Sequence, residues 1–139
     1  MIKDFLLRHT PIPALKKGLD TYALRQKTIA SNISNVNTPG YRRKEVVFEE
    51  KLENALRRRL AGSRTDERHL PIGPQRIQEV VPEVETDPSP VLHSGVNNVD
   101  IDREIVEQAK NAIRFAYGAR MLRNHFAALR ASIKGRFDQ

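Results

Sequence analysis

A chain of 139 residues allows one domain with a core of modest size, and 39% apolar, 29% charged and 6% aromatic residues without Trp set it above the range of a wholly disordered chain. A net charge of +7, from 24 Lys and Arg against 17 Asp and Glu, suits an acidic partner, nucleic acid, an anionic membrane surface or complementary subunits. The absence of Cys excludes a disulfide framework and thiolate chemistry, and no stretch approaches the ~20 apolar residues of a membrane span. The apolar run within residues 1–8 is too short for a secretory signal, so composition by itself reads as cytoplasmic and soluble.

Pro11 and Pro13 mark a break before the first helix, which is expected over residues 14–37 with a length of roughly 36 Å. Leu15, Leu19, Tyr22, Ile29, Ile33 and Val36, with Gln26 between them, alternate at spacings of four and three, the a/d seam of a coiled coil. Leu24 stands off that seam. Pro39 pushes Thr38 out of helical conformation, and Thr38-Pro39-Gly40-Tyr41 fits a type II turn with Gly40 at the positive-φ position. Asn32 and Asn35 are weak helix formers three residues apart, so their amides share one side of the helix. They read either as a polar C-terminal cap or as an amide patch that bonds to another chain.

Beyond the turn, Val46-Val47-Phe48 is expected as a short strand or an extended arm, and residues 50–60 as a helix with Leu52, Leu56 and Leu60 on one face. Arg57, Arg58 and Arg59 read as a solvated face. Residues 61–98 hold five of the eight prolines and are expected to be loop, with short strands near 76–81 and 84–86. Residues 86–98 are expected to be the most mobile, since little there can be buried.

The last helix carries the strongest pattern. Asp100 is a good N-cap, and Asp102, Glu104 and Glu107 place acid at the positive end of the helix dipole. Ile105, Gln108, Ala112, Phe115, Ala119, Leu122, Phe126, Leu129 and Ile133 repeat at three and four as the second seam. From Lys110 through Arg114, Arg120, Arg123, Arg130, Lys134 and Arg136 the charges are all basic. Gly118 costs ~1 kcal/mol in a helix interior, which suits close approach of another backbone. Ile113, Tyr117 and Met121 form a second apolar row that a two-helix hairpin leaves in water, so another subunit is expected to cover it.

No catalytic constellation emerges. His9, His69, His93 and His125 are scattered without metal-ligand spacing, and Asn98–Asp102 imitates a calcium loop whose required Gly and closing Glu are replaced by Arg103 and Ala109. There is no glycine-rich phosphate loop, and the sequon Asn32-Ile33-Ser34 lies in a heptad helix and reads as chance. The chain is therefore expected to be no enzyme, with no cofactor, metal or small-molecule substrate. A nucleic-acid-binding coiled coil is disfavoured, because the bases fall around several heptad positions and no DNA or RNA motif is present. A soluble coiled-coil adaptor is the other alternative to a structural subunit.

The run from Ser31 to Phe48, SNISNVNTPGYRRKEVVF, resembles the N-terminal signature of bacterial flagellar axial proteins, the rod and hook family. The features that carry the resemblance are closely spaced asparagines, Asn-Thr-Pro-Gly-Tyr, and basic residues directly after a heptad helix. Ser94 to Glu104 is similar to the segment that opens the last helix of proximal rod members, Thr65 to Leu70 resembles a short family motif, and residues 71–93 match loosely.

The resemblance implies a mainly α fold in which long N- and C-terminal helices pair as a coiled coil around an irregular middle region with short strands and a short helix. Its parts would be an arm (1–13), a helix (14–37), a turn with the irregular region (38–98) and a second helix (99–135). It implies a structural subunit that polymerises helically in the proximal rod of the basal body, transmits torque and extends the export channel. Partners would be further copies, other rod proteins, the adaptor protein joining membrane ring and export gate to the rod, and the type III export gate. Passage through that gate would put the protein on the periplasmic side of the inner membrane without a cleaved signal peptide. Asn32, Asn35, Asn37, Thr38, Pro39, Gly40 and Tyr41 would form the assembly motif. Phe48 and Leu52 are similar to a short gate-binding pattern and read equally as local packing.

Overall fold

A computed structural model describes residues 10–57, 80–92 and 96–135. Helix α1 spans Ile12–Ser34, with Pro13 in its first turn and the Leu15 amide donating to the Pro11 carbonyl at 2.9 Å. It ends three residues short of the expected Asn37. The Asn35 side-chain amide donates to the Ser31 carbonyl at 2.7 Å, so a side chain takes an acceptor near the helix end, and the chain leaves the helix. The Tyr41 amide then closes the turn onto the Thr38 carbonyl at 3.3 Å, with Gly40 at φ +72°, the type II geometry that Pro-Gly favours.

Strand β1 (Lys44–Val47) pairs antiparallel with β2 (Glu83–Thr86), in a register that sets Lys44 opposite Thr86 and Val46 opposite Val84. Phe48 leaves β1 directly into helix α2 (Glu49–Arg57) and packs on Val80 with Leu52 partly buried beside them, a small apolar cluster under the ribbon. Leu60 and most of the stretch expected as a strand at 76–81 lie outside the described residues, and Val80 and Val81 are not in a strand.

Helix α3 (Ile101–Lys134) is roughly 51 Å long. Asp100 caps it, its carboxylate accepting from the Asp102 and Arg103 amides at 2.9 and 3.3 Å, and Gly135 ends it in left-handed conformation at φ +68°. Helices α1 and α3 pack together antiparallel: Asn32 meets Glu104, Tyr22 and Gln26 meet Asn111, and Leu19 meets Gly118. The close neighbour of Gly118 is thus the Leu19 side chain, whose Cδ2 lies 3.3 Å from where a Cβ would sit, and not a second backbone.

The expectation that little in residues 86–98 can be buried is overturned. Asp87, Asn97 and Asn98 are 8%, 2% and 4% exposed, held by hydrogen bonds that the next section describes. No described helix is long and apolar enough to cross a membrane.

Candidate functional site

The two long helices meet along a polar line. Along this line the buried positions of α1 are Thr21, Thr28, Ile29 and Asn32, beyond Ile12 in its first turn, and those of α3 include Glu104, Asn111 and Gly118. Except at Ile29, each lies one residue before its apolar counterpart: Thr21 before Tyr22, Glu104 before Ile105, Asn111 before Ala112, Gly118 before Ala119. The contact therefore keeps the heptad period and shifts its phase. It works because the polar donors are satisfied, although the buried Asn111 Oδ1 has no hydrogen-bond partner: the Thr21 and Thr28 hydroxyls donate to the carbonyls of Lys17 and Leu24, at 2.9 and 3.1 Å. Asn111 reaches across, donating to the Tyr22 carbonyl at 3.0 Å and to Gln26 Oε1 at 3.1 Å.

At the turn end this line becomes a hydrogen-bonded node. Asn32 Nδ2 donates to the Lys44 carbonyl (2.8 Å) and to Glu104 Oε2 (2.9 Å), and its Oδ1 accepts from the Lys44 amide (3.0 Å) and the Tyr41 hydroxyl (3.2 Å). Both donors and both acceptor positions of this fully buried amide are occupied within the chain. Glu104, also 0% exposed, accepts from Arg43 Nε at 2.7 Å, and Arg43 Nη1 continues to Asp87 at 3.0 Å and Glu45 at 2.8 Å. Burial works against the Arg43 charge, but its bonds to Glu45, Glu104 and Asp87 outweigh that and hold the guanidinium pKa above its ordinary value. Asp87 sits below the usual carboxylate range, first because the Ser89 amide donates to it at 2.9 Å, then through Ser89's hydroxyl and Arg43.

Asn97 and Asn98 fasten the second half of the chain to the turn. Asn97 Nδ2 donates to the carbonyls of Asn35, Val36 and Thr38 at 3.2, 2.6 and 3.2 Å, and Gly40's amide donates to the Val96 carbonyl at 3.0 Å. Asn98 accepts the Arg43 amide at 2.7 Å and donates to Asp87 and Ser89. Arg25, held bidentately by Glu49 at 2.7 and 2.6 Å and donating to the Val46 carbonyl at 3.1 Å, clamps α1 to the corner between β1 and α2.

The amide patch expected toward another chain does not include the Asn32 amide, which is buried and fully bonded within the chain. Asn35 donates to Ser31 while accepting from the Thr38 hydroxyl at 3.2 Å. Asn37, Pro39 and Gly40 remain exposed at the tip of the turn, and Tyr41 is half-buried against Ser31 and Asn32.

Of the seam residues, Ile29 is buried, and Leu15, Leu19, Tyr22, Ile33, Val36, Ala119, Leu122 and Leu129 are half-buried. Ile105, Ala112, Phe115, Phe126 and Ile133 are exposed, because the polar phase of α3 faces α1 in their place. Tyr22, Ala23, Gln26, Ile105, Ala112 and Phe115 instead line an open, mostly apolar groove along one side of the helix pair. In the second row, Ile113 and Tyr117 are exposed and Met121 is half-buried. Phe48, 3% exposed, packs with Val80 and the partly buried Leu52, as local packing would have it.

Sequence reasoning missed Thr21, Thr28, Arg43, Asp87, Asn97, Asn98 and Asn111 and saw Glu104 only as a dipole charge. A signal was present: Thr21, Arg25, Thr28 and Asn32 repeat at four, three and four, and Glu104, Asn111 and Gly118 at seven, a polar heptad beside the apolar one.

Two long helices thus join through a polar line and leave apolar rows outside. A family model described as flagella basal body rod protein matches residues 15–42, from the first turns of α1 to the start of the node. The flagellar basal body rod protein FlgB of Borrelia hermsii is 33% identical over 122 residues, covering 84% of this chain and 90% of that protein. FlgB of Bacillus subtilis is 30% identical over 124 residues (89% and 93% covered), and FlgB of Escherichia coli 27% over 126 residues (86% and 85%). The chain belongs to the FlgB family of flagellar basal body rod proteins.

Proposed function

We propose that the chain is a structural subunit of the proximal rod that polymerises helically, transmits motor torque and extends the export channel. Its neighbours are further copies, other rod proteins and the adaptor protein that joins the membrane ring and export gate to the rod. It reaches the periplasmic side of the inner membrane through the type III export gate. Phe48 and Leu52 would engage that gate only in the unfolded chain, since the fold hides Phe48.

The observation that carries this reading is the uncovered apolar surface of α3. Ile105, Phe115, Phe126 and Ile133 are 52%, 43%, 50% and 82% exposed on one flank, and Ile113 and Tyr117 are 70% and 66% exposed on another. Two separate apolar rows call for two different neighbours, and unlike contacts that do not close generate a helical tube. The exposed tip Asn37–Gly40 is the part of the assembly motif left to meet a neighbour, while Asn32 and Asn35 brace it from within.

The test is genetic. In a motile source strain, deletion of the gene is expected to abolish hooks and filaments seen by electron microscopy, and the wild-type gene to restore them. An Ile113→Asp/Tyr117→Asp variant is expected to fold and be exported yet fail to restore them. Normal flagella on the deletion strain would sink the rod reading.

A further inference from the structure

Over the whole of α3 the bases fall at several heptad positions, but its C-terminal half is ordered differently. Arg120, Arg123, Ala127, Arg130 and Lys134 follow one another at three, four, three and four residues, which places them on one face of the helix. All five are exposed, and the stripe runs for roughly 21 Å. It lies well away from the Glu104–Asn111–Gly118 line that faces α1.

The bases nearer the start of α3 have carboxylate partners: Lys110 with Glu107 at 2.7 Å, Arg114 with Glu49 at 4.0 Å, and Arg103 with Asp87 at 3.7 Å. Arg120, Arg123 and Arg130 have no ion pair among the described residues. No acid follows Glu107 on the helix to compensate them. Arg120 and Arg123, three residues apart, repel one another, and within the stripe only Lys134 stands in the last turn, where a cation complements the helix dipole.

We propose that this stripe docks an acidic helix of a different protein, one whose carboxylates repeat at the same alternating spacing of three and four. Ala127 in the middle lets the partner backbone come close, and Phe126 and Ile133 along one edge supply an apolar border. Among the described residues, a second copy of this chain offers no such helix. The single acid of α1 is Asp20, those of α3 end at Glu107, and the acids of α2 all fall within Glu49–Glu53, too short a span to match the stripe. A lipid surface fits less well, because an interfacial helix carries one broad apolar face, whereas here the apolar residues form two separate rows on either side of the charged stripe. The inference rests on the stripe alone and stands or falls separately from the rod reading.

The test uses the full chain and its Arg120→Gln/Arg123→Gln/Arg130→Gln variant, whose substitutions are exposed. Circular dichroism checks that both fold alike. A fluorescent helical peptide with glutamates at alternating three- and four-residue spacing is titrated against each, beside a scrambled peptide of equal charge. Vesicles of phosphatidylcholine with phosphatidylglycerol and a short DNA duplex form the other arms. The matched peptide is expected to bind the wild type, and to bind the variant about tenfold more weakly. The scrambled peptide is expected to bind the wild type weakly, and added salt to weaken the matched complex. Equal affinity for both peptides, unchanged binding to the variant, no binding of the matched peptide, or stronger capture by vesicles or duplex would each overturn the proposal.

Discussion

Asn32 concentrates the fold in one side chain. Replacing it with Ala removes the partners of the Lys44 amide, the Lys44 carbonyl, the Tyr41 hydroxyl and one Glu104 oxygen together. With buried groups left unpaired, Asn32→Ala is expected to cost about 3 kcal/mol in urea unfolding. A loss below about 1 kcal/mol would mean that the node does not hold the turn to α3. The pH response belongs to the same scale. Asp87 titrates below its ordinary value in the folded chain, so its contribution to stability is complete above the unfolded carboxylate range, near pH 4, and is lost as pH falls through the depressed folded value. Glu49 shifts the same way, burial opposing its charge and the bond to Arg25 outweighing that. The urea midpoint should therefore hold steady from about pH 5 to 8 and drop in acid, and Asp87→Asn should shrink that drop. A midpoint that falls already near neutrality would contradict this assignment.

At the scale of elements, the helix pair turns on phase. Gly118→Ala gains about 1 kcal/mol of helix propensity and meets only the Leu19 side chain, which can shift, so its net effect should stay within about 1 kcal/mol. Gly118→Val carries a branched side chain into the same contact and is expected to destabilise by about 2 kcal/mol. If the two variants behave alike in thermal melts, α1 and α3 do not meet at Gly118.

What the sequence disclosed follows from the same point. The caps, the type II turn and the two long helices were legible, because Asp100, Pro39-Gly40 and the repeat act within a few residues. The period of the repeat was legible too. Its phase was not, because a polar and an apolar heptad run side by side and hydrophobicity alone favours the apolar one. Thr21, Thr28 and Asn111 become acceptable inside only when their partners Lys17, Leu24, Tyr22 and Gln26 are in place. The burial of Arg43, Asp87 and Asn98 rests on contacts 44 to 61 residues apart, which no local pattern encodes.

For the whole molecule, the internal fold and the outward apolar rows are separate systems. Phe115→Ser, at an exposed position, should leave the isolated chain within about 0.5 kcal/mol of wild type. Ile29→Ala, at a residue 4% exposed, should cost about 3 kcal/mol. Paired urea titrations decide this, and comparable losses would show that the row containing Phe115 already serves the single chain.

The wide spacing of the node's bonds also has a consequence in time. Arg43 and Glu104 are 61 residues apart in the chain and Asn32 and Glu104 are 72, so two distant segments must find each other before either carboxylate bond can form. Helices α1 and α3 can flicker into being within microseconds, but their correct alignment waits on that long-range closure, as in slow folders dominated by non-local contacts. In stopped-flow refolding the node should therefore close after the bulk of the helical signal. Until then the two helices exist without the alignment that the node imposes.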